Sequence, residues 1–207
     1  LGLPSDYGVD DLPLVIQDRQ FEDGRLVIPS GMMITMQGRR GDTILVNGAP
    51  NAVARVPKRL VRLRLVNASN ARVYDFSFSD RRSFHWIGTE GGLLERSVEL
   101  QSLPLAPGQR AELLVSFADG RPVSLVTGPD ANGSMMGMMD GMGGMARTEG
   151  AAGARFVLRF NPQPMSQTDA SGAIPDLLVS RARPDAATVA QRRRPILTMG
   201  MRMGMGG

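Results

Sequence analysis

Methionine is concentrated in two glycine-rich runs, and its thioether sulfur is the most distinctive ligand chemistry in the sequence. Residues 134–145 read SMMGMMDGMGGM, and the chain closes on TMGMRMGMGG. Thioether sulfur is soft and uncharged, so it suits Cu(I) and Ag(I) and binds Zn²⁺ or Mg²⁺ poorly. In a buried segment, methionine fills gaps in the packing. Such a segment would not have glycine at nearly every position that is not methionine, because glycine costs backbone entropy and has no side chain to pack. The runs therefore predict exposed loops that bind Cu(I).

The spacing of these methionines places several sulfurs on one side of an extended segment. In the tail every second residue from Met199 to Met205 is methionine, and in the first run Asp140 adds a harder oxygen donor. A single thioether is a weak ligand, so a useful site needs roughly two or three that converge. The candidate Cu(I) ligands are Met199, Met201, Met203, Met205, Met135, Met136, Met138, Met139, Met142 and Met145.

Other metal and nucleophile chemistry is limited by what the sequence lacks. There is no cysteine and a single histidine, His85. These counts exclude disulfides, thiolate zinc sites, cysteine nucleophiles and copper centres built from histidine and cysteine. No catalytic residue is predicted, and His85, in SFHWIG, is interpreted as packed or hydrogen-bonded. The smaller cluster MMITM (32–36) is expected to be partly buried.

The composition is that of a globular protein with an ordinary core. Hydrophobic residues make up 42% of the 207 positions and charged residues 21%, and no apolar run approaches the roughly 20 residues of a membrane span. The net charge is +4, and the basic residues are scattered among the acidic ones along the sequence. The densest basic stretch, 181–195, has no aromatic residue for stacking on bases. Neither nucleic-acid binding nor a membrane span is predicted.

The secondary-structure elements that position the methionines and His85 are predicted to be short strands separated by turns. The clearest is RLVRLRLVN (59–67), where Val61, Leu63 and Leu65 alternate with arginines, as period 2 requires. A second alternating strand follows the Pro107–Gly108 turn, with inner positions at 111, 113, 115 and 117. Strands about 10 residues apart with Gly and Pro turns predict an all-β sandwich or barrel.

After residue 165 the composition changes. The polar, aperiodic stretch 166–194 is interpreted as an interdomain linker that runs over the domain surface. RRPILTM then looks like the first strand of a further domain, which indicates a fragment. The predicted organisation is therefore a domain at 1–165, a linker at 166–194 and a Met-rich start of a third domain at 195–207.

Five blocks of sequence carry a family resemblance: DLPLVIQDRQF, GDTILVNGAPN, VRLRLVNASNARVYDFSF, GTEGGLLE and LAPGQRAELLVSF. In order and spacing they resemble the middle domain of bacterial three-domain multicopper oxidases, in particular the periplasmic, laccase-like cuprous oxidases of copper tolerance. The resemblance covers most of residues 7–160. It implies a cupredoxin-like Greek-key β-sandwich without its own copper centre, which holds the outer domains in register.

The resemblance also implies a function for an intact enzyme. Such enzymes oxidise Cu(I) or phenolic, lignin-type substrates and reduce dioxygen to water. Their copper ligands lie in the first and third domains, in His-X-His and His-Cys-His motifs that this sequence lacks. The isolated chain is thus expected to be inactive, with those two domains and Cu(I) as its partners and the periplasm as its location.

Within the tail, Met199 in its ILTM context resembles the family position that gives a thioether to the substrate copper site. The acidic residue expected a few positions later is absent, because GMRMGMGG has no carboxylate. Two alternatives stay open. One is a self-standing copper-binding module or chaperone with methionine ligands, and the other is a scaffold whose methionines bind nothing.

Overall fold

The computed structural model describes residues 2–129, 154–164, 173–182, 185–188 and 190–196. Over these residues the chain is almost entirely β. Thirteen strands are accompanied by one short α-helix, α1 (Met32–Gln37), and a 3-10 turn at Ala186–Thr188. The predicted all-β class is confirmed.

The strands follow one another with short connections. Their bounds are β1 (Asp11–Glu22), β2 (Arg25–Val27), β3 (Thr43–Val46), β4 (Ala49–Pro50), β5 (Val53–Pro57), β6 (Leu60–Asn67), β7 (Tyr74–Phe78), β8 (Phe84–Thr89), β9 (Gly92–Leu100), β10 (Ser102–Leu105), β11 (Arg110–Ser116), β12 (Val123–Thr127) and β13 (Arg155–Gln163).

Two sheets form the sandwich. The larger has the order β4-β3-β1-β6-β11-β8-β9, with β2 added as a hairpin partner of β1, and the smaller has the order β10-β7-β12-β13-β5. Most neighbours are antiparallel, but β1 pairs parallel with β6, and β13 pairs parallel with β5. Non-consecutive neighbours in both sheets mean that the chain crosses between layers, as in the predicted cupredoxin-like sandwich.

The core lies between the sheets and follows the alternation read from the sequence. Val61, Leu63 and Leu65 of β6 are 0%, 0% and 2% exposed. The four inner positions predicted around β11 are also buried in this core, namely Ala111, Leu113, Val115 and Phe117. Phe78 contacts the rings of Phe84, Phe117 and Phe160, and so joins strands of both sheets. Burial of this apolar surface is the main force that holds the layers together.

A second, smaller cluster lies on the outer face of the larger sheet. Leu60, Ile87 and Leu114 project there, and residues 173–182 cover them. Leu178 is 2% exposed, and its N–H donates to the carbonyl of Glu95 in the edge strand β9 at 2.8 Å. Residues 173–182 of the predicted linker are therefore packed onto the domain. The division into three regions, with boundaries after residues 165 and 194, stays a prediction.

The expectation of partial burial for MMITM is wrong for Met32 and Met36, and the Met33 side chain lies outside what the structure describes. These residues form α1 instead of lying in the sandwich, and Met32 and Met36 are 81% and 74% exposed. The reason is local. Residues 29–39 leave the sheets as a loop whose ends meet where Arg39 Nε donates to the carbonyl of Pro29 at 3.2 Å. No second layer covers these two side chains, so they remain in solvent.

The described part of the RRPILTM segment does not form the expected strand. Residues 190–196 have no regular secondary structure, and Ile196 is 85% exposed. Among the described residues no helix is long and apolar enough to cross a membrane.

Candidate functional site

A buried ionic and polar network occupies one end of the sandwich. Asp18 of β1 is 3% exposed, and its Oδ2 pairs with Arg72 Nε at 3.0 Å. The same oxygen accepts the Gly41 N–H at 2.6 Å, while Arg72 donates to the Gly41 carbonyl at 2.7 Å. A buried carboxylate requires such partners, because removing one partner would leave an uncompensated charge. These bonds hold Gly41, just before the start of β3, against Asp18 of β1 and against Arg72.

The NASNAR turn supplies the rest of this network. Buried Asn67 donates through Nδ2 to the carbonyls of Arg72 and Leu105, each at 2.8 Å, and its Oδ1 accepts the Ser69 N–H. Ser69 Oγ in turn accepts the Asp18 N–H at 3.1 Å and lies 2.9 Å from the Tyr74 hydroxyl. The asparagine-rich turn that carried the family resemblance thus has a structural role. Its Asn67 and Ser69 side chains form hydrogen bonds with backbone N–H and carbonyl groups of the turn and of neighbouring strands.

Burial perturbs two titratable groups at this end. Desolvation raises the pKa of Tyr74 to about 12. Desolvation also lowers the pKa of the Arg155 guanidinium, and the nearby Arg72 charge adds to that effect. Arg155, the first residue of β13, donates a hydrogen bond to the carbonyl of Asp42. It thereby ties the start of β13 to the residues that lead into β3.

The strands that precede and follow the first methionine run in the sequence, β12 and β13, pair with each other beside this network. Thr127 pairs with Arg155 in the β12–β13 ladder, and the Gly128 N–H donates to the Asp75 carbonyl at 3.0 Å. The six candidate ligands of this run (Met135, Met136, Met138, Met139, Met142 and Met145) lie outside the described residues. The same holds for the tail candidates Met199, Met201, Met203 and Met205.

His85 lies on the outer face of the larger sheet, where it pairs across with Leu114 and Glu99. It is partly buried, and among the described residues its Nδ1 atom has no hydrogen-bond partner. The structure brings no second histidine, cysteine or pair of carboxylates to it. In the part of the chain that is described, no group of three or more such residues could hold a metal ion.

Ion pairs line the same outer face. Arg64 pairs with Asp11, Arg62 with Glu112, and Arg59 with Asp10. The Asp11 hydrogen bond raises the pKa of Arg64. The first two pairs join neighbouring strands, and Arg59 and Asp10 lie directly before β6 and β1, so opposite charges face each other and support the sheet register. These pairs offer no general acid or base, because each carboxylate is held by a guanidinium.

Sequence reasoning missed the Asp18 network and the ion-pair row. The signal for the row was present in RLVRLRLVN, because arginines alternate with core residues on a strand that must be largely buried. The signal for Asp18 was weaker. A single Asp after VIQ does not reveal that Arg72 and Gly41 will reach it from distant parts of the chain.

Residues 14–124 match the family model described as Multicopper oxidase. Among curated proteins, the cell division protein FtsP of Xenorhabdus nematophila is 44% identical over 142 residues, which are 69% of this chain and 29% of that protein. FtsP of Proteus mirabilis is 38% identical over 162 residues, 78% of this chain and 33% of that protein. The chain thus spans about a third of the length of these relatives.

Solved structures give the same fold. The laccase-like multicopper oxidase CueO of an Ochrobactrum species, described as having oxidase activity towards lignin model compounds and lignosulfonate, matches with a TM-score of 0.73 and 34% identity. The multicopper oxidase McoA of Aquifex aeolicus matches with a TM-score of 0.72 and 32% identity. Each match covers 90% of this chain and 38% of the other.

Proposed function

Because the chain belongs to the multicopper oxidase family, we propose that it is the central scaffold domain of a three-domain, laccase-like protein. The observation that carries the proposal is the family match over residues 14–124 on a two-layer sandwich that resembles the CueO and McoA structures. In this role the sandwich holds a first and a third domain in register. It contributes rigidity and surface, and no reacting group.

The copper of the family does not fit the donor set of this chain. The sequence has one histidine and no cysteine, whereas copper centres of the blue and oxygen-reducing kinds use several imidazoles and a thiolate. His85 is partly buried on the outer sheet face, and the sequence supplies no second imidazole and no thiolate to join it. We therefore derive no catalytic step through this chain.

For the intact protein we propose oxidation of Cu(I) or of phenolic, lignin-type substrates with dioxygen as acceptor, in the periplasm. The Ochrobactrum relative, a laccase-like oxidase with activity towards lignin model compounds, supports this class of substrate. The methionine runs at 135–145 and 199–205 would gather Cu(I) in that setting, since clustered thioethers suit this ion.

A second candidate function is favoured by the curated relatives. Proteins named for cell division are 38% to 44% identical to this chain, and the laccase-like structures are 32% to 34% identical. The same sandwich could serve there as a purely structural module. The sequence that flanks these 207 residues decides between the two functions. His-X-His and His-Cys-His motifs there would support the oxidase, and their absence would support the structural role.

The scaffold proposal predicts that the purified 207-residue chain has no oxidase activity. With stoichiometric copper, oxygen uptake in the presence of Cu(I) or a phenol should equal that of free copper, because no group holds a redox copper centre. Cu(II) should also give no intense visible thiolate band. Uptake above the free-copper rate would refute the proposal, and heat-denatured chain serves as the control.

The Cu(I) role of the first run has its own test. Replacement of Met135, Met136, Met138, Met139, Met142 and Met145 by leucine should weaken Cu(I) binding in an anaerobic competition titration against a chromogenic chelator, because leucine keeps the bulk but removes the thioether. Unchanged binding would end the claim for this run. A single tight site on the unaltered chain would instead favour a self-standing Cu(I)-binding module or chaperone.

A further inference from the structure

Two methionines outside both runs are presented to solvent on one face of α1. Met32 is 81% exposed and Met36 is 74% exposed, so neither has a packing role. Residues at positions i and i+4 of a helix lie on the same side, with Cβ atoms about 5–6 Å apart. A methionine side chain has three rotatable bonds and a polarisable sulfur. The two thioethers are therefore able to reach one ion between them.

The helix is held in place by its surroundings. Arg39 closes the loop onto Pro29, and Arg40 donates to the Ala71 carbonyl at 3.4 Å. Gly38, with φ of 78°, approaches the NASNAR turn so closely that a Cβ atom there would lie 2.5 Å from the Cβ of Ala71. A donor pair on a pinned helix loses less conformational entropy on binding than the same pair on a free loop.

The position of α1 matters as well. Arg40, which follows α1, donates to the Ala71 carbonyl in the NASNAR turn, and Arg72 of the same turn donates to the Gly41 carbonyl. Arg155, the first residue of β13, is hydrogen-bonded to the carbonyl of Asp42. The segment that follows α1 is therefore tied to the NASNAR turn and to the start of β13.

The positive charge of the segment that contains α1 favours a soft monovalent cation over a hard divalent one. Residues 29–41 contain no aspartate or glutamate, and Arg39 and Arg40 follow the helix. Hard divalent cations find no oxygen ligands of negative charge there and are repelled more strongly than monovalent ones. Soft monovalent cations need only the sulfurs.

We propose that Met32 and Met36 form a two-thioether site for Cu(I) on the exposed side of α1. The proposal rests on the Cu(I)-gathering function proposed above and adds residues that neither run contains.

The test uses the 207-residue chain with methionine methyl groups labelled with ¹³C, and Ag(I) as an air-stable probe for Cu(I). The two methyl signals that disappear in Met32→Leu and Met36→Leu should shift together on addition of Ag(I), and Zn²⁺ should leave them unchanged. In an anaerobic Cu(I) titration the double variant should lose about one bound equivalent, and each single variant nearly as much, because one thioether alone binds weakly. Met165→Leu is the matched control and should lose nothing.

The background in which the six methionines of the first run are leucine separates this proposal from the previous one. In that background the Met32 and Met36 signals should still shift with Ag(I). If they do not shift there or in the unaltered chain, or if the double variant keeps every equivalent, the α1 site is refuted, whatever the run does. If they shift while the run variant binds Cu(I) as the unaltered chain does, the α1 site stands and the role of the run falls.

Discussion

At the scale of single residues, the structure of one end of the sandwich depends on buried charged groups and hydroxyls. Asp18 forms an ion pair with Arg72 and hydrogen bonds with Gly41 and Ser69. Ser69 is in turn hydrogen-bonded to the Tyr74 hydroxyl. Each of these groups would be costly to bury alone. Together they hold the strand β1, the segment before β3 and the NASNAR turn in one arrangement, on which α1 and the flanks of the methionine run depend.

Tyr74 makes this arrangement sensitive to alkaline pH. Its pKa is raised from 10.0 to about 12 in the folded chain because its hydroxyl is desolvated. The folded state therefore holds the proton over a range in which the unfolded state releases it. The associated stability is complete below pH 10 and is lost as the pH rises towards 12, by roughly 2–3 kcal/mol in all.

Tyr74→Phe should remove this dependence. Urea unfolding at a series of pH values from 9 to 12 should show a smaller loss of unfolding free energy for the variant than for the unaltered chain, although the variant starts about 1 kcal/mol less stable because the hydrogen bond to Ser69 is gone. Tyr7→Phe, at a position that is 74% exposed, is the control. Parallel curves for Tyr74→Phe and the unaltered chain would contradict the assignment.

At the scale of elements, the segment 173–182 behaves as a part of the sandwich surface. It covers apolar side chains of β6, β8 and β11, and its one backbone bond to Glu95 partly closes the outer edge of β9. An uncovered edge strand is prone to pair with other chains, so a segment docked along it has a protective effect. The polar composition of 166–194 made this contact hard to predict, because the large apolar residues there are few: Ile174, Leu177, Leu178, Val179 and Val189.

Leu178→Ala should therefore destabilise the domain, and Leu177→Ala should not. Leu178 is 2% exposed and Leu177 is 50% exposed, so the two leucines differ in burial and little else. Loss of the buried side chain should lower the unfolding free energy by about 2 kcal/mol, less than in a central core because the segment can detach. Hydrogen exchange at the Leu178 amide, which donates to Glu95, should accelerate in the same variant. Equal effects of the two substitutions would show that the segment is not docked.

At the scale of the whole molecule, a family known for redox copper is represented here by a domain without a redox centre. Two sheets with a single large core give a rigid body, and the sites where chemistry is proposed lie at its periphery: α1 and the strand ends that flank the first methionine run. This division is physically reasonable, because a closely packed core leaves no room for an ion, whereas exposed thioethers at the periphery can be reached from solvent.

The sequence alone determined the all-β class, the inner faces of β6 and β11, the absence of histidine–cysteine copper chemistry and the family. Each of these follows from local periodicity, from composition or from short blocks of sequence, which the chain carries wherever it folds. Only the tertiary structure decided that Met32 and Met36 are exposed, that Leu178 is buried, and that Asp18 meets Arg72. These outcomes depend on contacts between residues tens to more than a hundred positions apart, which no local pattern encodes. The exposure of α1 shows this most directly, since whether a short apolar segment is covered depends on what the rest of the fold places above it.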